Sequence, residues 1–389
     1  MLLDEKKDTL SHLPVFFNLS LEKDKEEVNR LMLDGRIQYT VDDYEEQHLE
    51  LFGVNNPSRV YTPSFKEEFK EYYLDLKRKA PLYEDGVWVY FPWLCKLVHV
   101  LDENDFQKVR TARNKNLITH EEQEKFYNAT VGIGGLSVGS SVALALVLQG
   151  GAKHIKLADM DRLALSNTNR VLSGVENLGV LKVELTARKL YEINPYAQIE
   201  LFTDGLNHET IESFFEGLDV VIDELDNLAV KYLIREHAKK HGVPVVMAAD
   251  NGDNAVVDVE RYDLTPEMSF FHGRMGDDVS YEMLSKLDKF GIGKMITKHV
   301  GPENVTIRMQ ESLLEMGKTI VSWPQLGGAA LINGAAVAYC VRKILNGQSL
   351  ENNRALISLD EKLTPEYSSY EEIERRTQTA NTFKKIFGL

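Results

Sequence analysis

The chain has 389 residues, of which 43% are hydrophobic and 27% are charged, as is typical of soluble globular proteins. This length predicts about two to three domains. The net charge of −15 argues against a nucleic-acid groove binder, because a phosphate backbone requires a basic footprint that releases its counterions. We therefore expect no nucleic-acid partner.

The first residues, MLLDEKKDTLSHL, carry charges where a signal peptide needs an apolar run, and about 18 consecutive apolar residues occur nowhere. We therefore predict a cytoplasmic protein with no membrane partner. The two cysteines, Cys95 and Cys340, are far apart and form no C-x-x-C motif. Without cysteine pairs we expect neither a disulfide framework nor zinc.

Residues 1–106 predict a small α+β accessory domain. The stretches DDYEEQHLELFG and SFKEEFKEYYLDLK predict helices, and the second places Phe65, Phe69 and Tyr73 on one face. The apolar run from Gly86 to Leu101 is rich in β-formers and is broken by Pro92, which favours a hairpin or an edge strand.

Residues 107–349 predict an α/β domain with a doubly wound, mostly parallel Rossmann-like sheet. Strand and helix patterns alternate here at the spacing of βαβ units. The predicted strands are NATVGIGG, HIKLADMD, QIELFTDGL, LDVVIDELD and VPVVMAAD, and the helices between them are GSSVALALVLQGG, VLKVELTARKLYEIN and LAVKYLIREHAKKHG.

Three further segments come after this alternating stretch in the sequence. Residues 270–301 interrupt it and predict a long crossover or lid with glycine hinges. The helix QLGGAALINGAAVAYCVRKILNG closes the domain and packs a face of small residues. Residues 350–389 are polar and predict a peripheral C-terminal tail.

The stretch from Val131 to Asp161 predicts a nucleotide-binding turn. Gly134, Gly135 and Gly139 lie between a strand and a helix, where backbone amides can approach a phosphate. Asp159 ends the next strand, where a carboxylate can accept ribose hydroxyls. These two features by themselves favour NAD, and a tight helix-packing turn without any ligand is the alternative.

The loop after that strand favours a triphosphate over a nicotinamide. It supplies Ser166, Asn167, Asn169 and Arg170, and Lys182 begins a helix twelve residues further on. Fixed cations beside a polar loop bind phosphates well. Taken alone, Lys182 is more typical of a solvated helix residue.

The third strand ends in a carboxylate cluster. Asp223, Glu224, Asp226 and Asn227 follow VVI at the sheet edge where ligands of open α/β sheets bind. Carboxylates there can hold Mg²⁺ against phosphates. One of these four residues is also a plausible helix N-cap.

Four separated motifs together resemble the ThiF/MoeB adenylyltransferases related to ubiquitin-activating E1 enzymes. They are RTARNKNLITHEEQEKFYNATVGIGG, LADMDRLALSNTNR, LGVLKVE and VVIDELDN, within Val109 to Arg261. The closing helix matches more weakly. The N-terminal region, with WVYFPW, looks like a bacterial branch of this family that is sometimes fused to nitroreductase domains.

The resemblance implies an E1-like activating enzyme that uses ATP and Mg²⁺ to adenylate a substrate carboxylate and releases pyrophosphate. It assigns the phosphates to Gly134 with Gly135 or Gly139, the ribose to Asp159, adenosine and phosphates to Ser166, Asn167, Asn169 and Arg170, charge neutralisation to Lys182, and Mg²⁺ to Asp226 with Asn227 beside it. Arg113 matches an arginine that the other subunit usually donates, which implies a homodimer.

The chain departs from many family members in its cysteines. No cysteine lies between Cys95 and Cys340, so the zinc-binding pairs and the catalytic cysteine of those members have no counterpart. We therefore expect direct attack of a nucleophile on the activated carboxyl, for which a peptide or protein C-terminus is a candidate. The residues that either grip this substrate or form a solvated loop are Asp250, Asp253, His272, Arg274, Asp277 and Asp278.

Two other functions stay open at this level. A NAD- or FAD-binding oxidoreductase uses the same glycine turn, although Arg170, Lys182 and Asp226 argue against it. A non-catalytic nucleotide-binding scaffold is the second alternative, favoured by the missing cysteine.

Overall fold

The computed structural model describes residues 11–276, 278–350 and 353–389. By its internal contacts the chain divides into two compact units. The first comprises residues 11–124 of the described chain, with Leu148–Gly150 and Ala187–Ala197. The second comprises Lys125–Val147, Gly151–Thr186 and the chain from Gln198 onward. The first unit therefore extends beyond residue 106, where the sequence predicts the domain boundary.

The first unit is an α+β structure built on a four-stranded sheet. Its elements are β1 (Val15–Phe17), α1 (Glu22–Leu33), β2 (Tyr39–Val41), α2 (Tyr44–Asn55), α3 (Phe65–Lys79), β3 (Val87–Phe91), β4 (Lys96–Val100) and α4 (Glu103–Arg110). The strand order is β1-β3-β4-β2, with β2 parallel to β4 and the other pairs antiparallel. Pro92 lies in the short 3-10 turn Pro92–Leu94 that joins β3 to β4, so the predicted hairpin is confirmed.

Amphipathic packing explains why the first unit extends past residue 106. The predicted apolar face of α3 is confirmed, because Phe69 and Tyr73 are buried. Tyr44 and Leu51 of α2 form a buried cluster against which Phe106 of α4 packs. The helix after residue 102 therefore completes this core rather than beginning the next one.

The elements from residue 120 onward alternate between helix and strand as far as residue 251, where the alternation ends. They are α5 (His120–Asn128), β5 (Thr130–Gly134), α6 (Gly139–Leu148), β6 (His154–Ala158), α7 (Lys182–Ile193), β7 (Gln198–Phe202), α8 (Ile211–Phe215), β8 (Val220–Asp223), α9 (Leu228–His241), β9 (Val245–Asn251), β10 (Asn254–Glu260), α10 (Tyr281–Ser285), α11 (Lys289–Val300), α12 (Ile307–Leu314), α13 (Gly327–Leu345), β11 (Arg354–Ile357), α14 (Leu359–Leu363) and α15 (Tyr370–Phe387).

The second unit contains a seven-stranded sheet of order β11-β10-β9-β8-β5-β6-β7. Strands β5 to β9 are parallel, while β10 and β11 extend the sheet in antiparallel fashion. The predicted doubly wound, mostly parallel α/β sheet is therefore confirmed. Because the chain runs outward from β5 to β7 and returns at β8, the strand order reverses between β5 and β8. In open α/β sheets, ligands bind outside the strand ends at such a switch point.

Helix α13 closes the second unit by packing on β9 and β10. Gly334 permits a close approach of α13 to α6, because a Cβ there would lie 2.7 Å from the carbonyl oxygen of Ser141 in α6. By length and composition α13 is apolar enough to cross a membrane, yet 50% of its most apolar stretch is buried within the protein. Core helices of globular proteins share this property.

The structure corrects the prediction of a peripheral C-terminal tail, because this segment is part of the second unit. Strand β11 pairs with β10 and so extends the sheet. Phe383 and Phe387 of α15 are buried in a cluster with Met309 and Leu313 of α12. Two phenylalanines four positions apart lie on one helix face and bury together, although the residues around them are polar.

The segment predicted as a crossover or lid is largely helical. It contains a short 3-10 turn, Phe270–Gly273, followed by α10 and α11. Leu284 of α10 packs with Phe271 and Met275 against the start of α9. Gly291 lies inside α11, so this glycine is part of a helix rather than a hinge. Movement of the segment as a lid stays a prediction.

Candidate functional site

The turn between β5 and α6 passes close to the end of β8. Gly135 has a φ of +85°, and a Cβ at this position would lie 2.4 Å from the carbonyl oxygen of Glu224. Its amide donates to the carbonyl oxygen of Ala158 at 2.8 Å. A side chain at Gly135 would therefore clash with the protein's own backbone, so this position requires glycine. Gly134 and Gly139 face side chains instead, since a Cβ at these positions would lie 3.2 Å from Leu225 Cδ1 and 3.0 Å from Ile133 Cγ2, respectively.

Asp159 holds the same turn from the end of β6. Its two carboxylate oxygens accept hydrogen bonds from the amides of Leu136 at 2.7 Å and Asp161 at 2.8 Å. Burial raises the pKa of Asp159, and the nearby charge of Lys182 opposes that rise. The carboxylate thus orders the backbone between β5 and α6, and a role in binding ribose stays a prediction.

Lys182 is buried at the start of α7, with only 5% of its surface exposed. Its Nζ lies 2.8 Å from Asp161 Oδ2 and 3.9 Å from Asp159 Oδ2. The alternative that Lys182 is an ordinary solvated helix residue is therefore wrong. A lysine held between two carboxylates beside the glycine turn is a fixed cation, positioned before any ligand arrives.

Arg170 connects the SNTNR segment to the glycine turn. Its Nε donates to Ser137 Oγ at 2.7 Å, and its Nη1 donates to Asn169 Oδ1 at 2.8 Å. Ser137 lies in the turn before α6, so the two motifs meet directly. Sequence reasoning missed Ser137, because a serine among glycines is typical of any loop.

The other polar residues of the SNTNR segment order the segment itself. Asn167 Oδ1 accepts from the amide of Ala164 at 3.0 Å. Asn169 Nδ2 donates to the carbonyl oxygen of Gln325 at 2.9 Å, and Gln325 precedes α13. Ser166 is exposed. Contacts of these three side chains with adenosine or phosphate stay predictions.

Three of the four polar residues at the end of β8 are engaged within the protein. Asp223 is fully buried and pairs with Lys231 at 3.1 Å and with Arg235 at 2.5 Å. Burial opposes ionisation of Asp223, yet these two cations hold its pKa below the usual value. Glu224 accepts from the amide of Ala248 at 2.9 Å, and burial raises its pKa well above the usual range.

Asn227 is the N-cap of α9. Its side-chain oxygen accepts from the amides of Ala229 at 3.0 Å and Val230 at 3.3 Å, so the N-cap alternative applies to this residue. Asp226 is exposed and lines a cavity at the strand ends. Among the four residues of this cluster, Asp226 is therefore the one best placed to bind Mg²⁺.

Asp250, at the end of β9, completes a group of charges around this cavity. Its carboxylate accepts from Asn333 Nδ2 at 2.5 Å and from Gln325 Nε2 at 3.2 Å. Burial raises the pKa of Asp250 to about 6; Arg170 opposes this rise and Asp226 adds to it. Asn333 was missed in the sequence, although a buried amide within the apolar helix α13 is a detectable signal.

The cavity has a volume of about 110 Å³ and is lined by polar and apolar residues. Ser137, Asp226, Asp250 and Gln325 line it on the side of the strand ends. The lining also includes the polar side chains Glu224, Lys231, Asn251, Thr297 and His299 and the apolar side chains Met247, Ala248, Phe271, Met275, Ile296, Val300, Val305, Met309 and Trp323. This arrangement suits a ligand with one charged end and one apolar end.

The structure places the remaining predicted residues elsewhere. Arg113 is exposed in the 3-10 turn Ala112–Asn114 of the first unit. His272 Nε2 lies 3.1 Å from the carbonyl oxygen of Val259, and Arg274 pairs with Asp258 at 2.9 Å, so both contact β10 instead of lining the cavity. Two of the predicted substrate-binding residues, Asp253 and Asp278, are exposed to solvent. Asp277 lies outside the described residues.

Comparisons with known proteins find a family match and several similar proteins. Residues 111–272 match the model of the ThiF family. An uncharacterized protein of Mycobacterium tuberculosis is 37% identical over 301 residues, which cover 76% of this chain and 42% of that protein. The chain thus spans less than half the length of this relative.

Two named relatives match shorter stretches. The tRNA threonylcarbamoyladenosine dehydratase of Bacillus subtilis is 27% identical over 53% of this chain and 80% of its own length. The sulfur carrier protein adenylyltransferase of Thermus thermophilus is 31% identical over 33% of this chain and 48% of its own length.

Similar solved structures include Escherichia coli MccB with ATP, at 18% identity and a TM-score of 0.47, covering 67% of this chain and 77% of that one. The E. coli dehydratase TcdA gives 18% identity and a TM-score of 0.44 over 64% of this chain and 98% of that one. Residues 111–272, which contain the turn after β5, the SNTNR segment and the end of β8, form a ThiF-family domain related to the E1-like adenylyltransferases.

Proposed function

We propose that this chain binds ATP with Mg²⁺ at the carboxyl ends of β5, β6 and β8 and adenylates a substrate carboxylate. The observation that carries the proposal is the hydrogen bond between Arg170 and Ser137, which fixes a guanidinium at the glycine turn beside the cavity lined by Asp226 and Asp250. Relatives of the chain include a protein named as an adenylyltransferase.

In the proposed reaction, a carboxylate oxygen of the substrate attacks the α-phosphorus of ATP. The bond from that phosphorus to the bridging oxygen breaks, so an acyl-adenylate forms and pyrophosphate leaves. Arg170 and Lys182 stabilise the negative charge that develops on the phosphoryl oxygens. Asp226 would hold the Mg²⁺ ion, whose charge would neutralise the phosphates.

The remaining predicted nucleotide contacts complete the proposed site. Gly134, Gly135 and Gly139 line the proposed phosphate site, and Asp159 accepts from the ribose. Because the amides of Gly135 and Leu136 already donate within the protein, the amides nearer Gly139 are the proposed donors to the phosphates. Ser166, Asn167, Asn169 and Asn227 are the proposed polar neighbours of the nucleotide. Because the side chains of Asn167 and Asn227 already accept backbone hydrogen bonds, their amide NH₂ groups are the parts available as donors.

The cavity supports a substrate whose carboxylate is attached to an apolar group. Two carboxylates, Asp226 and Asp250, line the cavity and repel an incoming anion unless Mg²⁺ and Arg170 compensate them. Met247, Phe271 and Trp323 supply apolar surface to the same cavity. We propose a peptide or protein C-terminus ending in an apolar residue.

The proposed second step proceeds without a cysteine thioester. Cys340 lies within α13, where burial raises the pKa of its thiol to about 11, so little of it is thiolate at neutral pH. Cys95 belongs to the first unit, in the turn between β3 and β4. An amine or another nucleophile would therefore attack the acyl-adenylate directly.

The test is ATP–pyrophosphate exchange with a panel of acids. We expect Mg²⁺-dependent exchange with peptides that end in Leu, Met or Phe, and weaker exchange with peptides that end in Gly or Asp. Ala248→Leu, which narrows the cavity, should reduce exchange with Phe-terminated peptides more than with Gly-terminated peptides. Thermal stabilisation by Mg·ATP but not by NAD should accompany this activity.

Other outcomes contradict the proposal in distinguishable ways. Stabilisation by NAD alone favours the oxidoreductase alternative, and stabilisation by ATP without exchange for any acid favours a non-catalytic scaffold. Exchange that requires tRNA, suggested by the name of the Bacillus subtilis relative, would replace the peptide as substrate. The net charge of −15 argues against that polyanion.

A further inference from the structure

A cluster of metal-ligating side chains lies on α8 and α9. Glu212, His237 and His241 each offer one ligand atom, and these atoms all lie within 4.8 Å of one another. His237 and His241 are four positions apart in α9, so their imidazoles lie on the same helix face. Glu212 belongs to α8, which packs against α9.

We propose that Glu212, His237 and His241 bind one Zn²⁺ ion. His237 Nδ1 lies 3.1 Å from Glu212 Oε2, and His241 Nε2 lies 3.2 Å from Glu212 Oε1. Ligand atoms on a tetrahedral zinc with bonds of about 2.1 Å are roughly 3.4 Å apart. Two histidines and a glutamate are a common zinc set, and they leave the fourth position to water.

The surroundings of the cluster favour a bound cation. His241 is the last residue of α9, where the helix dipole is negative. Phe215 packs against both imidazoles, with ring centroids 5.7 and 5.9 Å away, and restricts their orientation. His237 Nδ1 is buried and contacts Glu212 Oε2 at 3.1 Å, so a metal ion bound between these two atoms would replace this contact.

Lys240 is the competitor for the carboxylate. Its Nζ lies 2.8 and 2.9 Å from the two oxygens of Glu212. Both side chains are more than half exposed, so this ion pair contributes little stability, and Lys240 can move into solvent when a metal binds. The cluster needs no cysteine, which is why the cysteine content of the sequence gave no indication of it.

The proposed ion joins α8 to the C-terminal end of α9. The nucleotide site lies at the opposite end of this 14-residue helix, about 20 Å away. Zinc should therefore stabilise the fold without supplying chemistry to adenylation. Its presence can be tested independently of the proposed activity.

The experiment titrates ZnCl₂ into the full chain, free of any affinity tag and treated with chelator, by calorimetry and by thermal unfolding. We expect one Zn²⁺ per chain and a higher Tm at saturation. Co²⁺ in the same site should show the visible absorption of a tetrahedral complex. His237→Ala and His241→Ala should each weaken binding by more than about tenfold, because even the partners of metal ligands contribute 10–100-fold.

Matched variants separate the site from general surface binding. Lys240→Ala removes the competitor and should leave the zinc affinity equal or higher. His120→Ala is the control for a single histidine–glutamate pair, because His120 pairs with Glu124 on α5 without a second imidazole. This variant should leave the zinc affinity unchanged. Absence of stoichiometric binding to the native chain, or unchanged binding in the Glu212→Gln variant and in the double histidine variant, would overturn the proposal. If the double variant does not fold, the Co²⁺ spectra of Glu212→Gln and Lys240→Ala decide.

Discussion

Arg170 Nε and Ser137 Oγ form a hydrogen bond of 2.7 Å that joins two segments separated by 33 positions in the sequence. One segment follows β5 and the other follows β6, and both lie beside the point where the strand order reverses. The hydrogen bond holds the guanidinium in place before any ligand binds. Such preorganisation lets a cation stabilise developing charge without a reorganisation cost.

The first prediction concerns this arginine. Arg170→Ala should lower the rate of ATP–pyrophosphate exchange by about 10²-fold or more, because it removes a preorganised donor from the transferring phosphoryl group. Arg162→Ala is the matched control, since Arg162 is exposed and donates to the carbonyl oxygen of Gly179. Equal activity of the two variants in an exchange assay would exclude the proposed role of Arg170.

The second prediction concerns Mg²⁺. Asp226→Asn keeps the shape of the side chain but removes its charge, so the Mg²⁺ concentration for half-maximal exchange should rise at least about tenfold, equivalent to ~1.4 kcal/mol of binding free energy. Asp253→Asn, at an exposed turn between β9 and β10, should leave this concentration unchanged. A Mg²⁺ titration of exchange in both variants measures the difference, and identical curves would remove Asp226 from the site.

The third prediction separates backbone strain from steric conflict at the glycine turn. A Cβ at Gly179 would have no atom within 4 Å, and the φ of this residue is +86°. Gly179→Ala should therefore lower the free energy of unfolding only by the roughly 1–2 kcal/mol that a left-handed backbone costs. Gly135→Ala has nearly the same φ but places its Cβ against Glu224, which should add about 1–3 kcal/mol. Denaturant unfolding of both variants compares the two costs. Equal losses would mean that the turn relaxes away from β8.

The fourth prediction concerns the acid stability of β10. Asp258 is 2% exposed and pairs with Arg274 at 2.9 Å and with Arg354 of β11 at 3.1 Å. Burial by itself raises the pKa of Asp258, but a hydrogen bond from His299 and the charge of Arg354 outweigh it and leave the pKa at about 2. Since the unfolded chain has an aspartate pKa of about 4, the contribution to stability is complete above that pH and is lost between about pH 4 and pH 2.

Asp258→Asn should therefore lower the free energy of unfolding at pH 7 by roughly 3 kcal/mol or more, because it leaves two arginines without their buried partner. The difference from the native chain should shrink as the pH falls below about 4. Asp263→Asn is the control, because Asp263 pairs with Arg261 at 2.6 Å but is 25% exposed; its loss should stay below about 1 kcal/mol. A difference that does not change with pH would argue against ionised Asp258 as the cause.

The fifth prediction tests the homodimer. If Arg113 acts on the site of the partner subunit, Arg113→Ala and Asp226→Ala are each inactive alone, but a mixed dimer contains one site with both residues intact. Random reassembly of equal amounts should then restore about a quarter of the native exchange activity. Exchange measured after mixing and re-equilibration gives the result. No recovery, in a sample shown to be dimeric, would exclude action of Arg113 on the partner's site, and full activity of Arg113→Ala alone would place this residue outside the active site.

Local pattern determined much of the second unit and of the proposed nucleotide site. The period of apolar residues predicted β5 to β9 and the helices α6, α7 and α9 between them, although not the short α8. The glycine, SNTNR and DELDN segments fall at strand ends because polar runs interrupt that period. Their order along the chain was enough to predict that they lie at one sheet edge, since parallel strands place all their carboxyl ends on the same side.

What the sequence could not determine depends on contacts between distant residues. The burial of Lys182, the fully engaged Asp223 and the joining of Asp250 to Asn333 over 83 positions require the sheet and α13 to assemble first. The same holds for α15, whose two phenylalanines indicate a helix face but not its partner α12. Sequence spacing therefore determined the elements and their chemistry, while tertiary packing decided which charges stay within the fold and which remain available to a ligand.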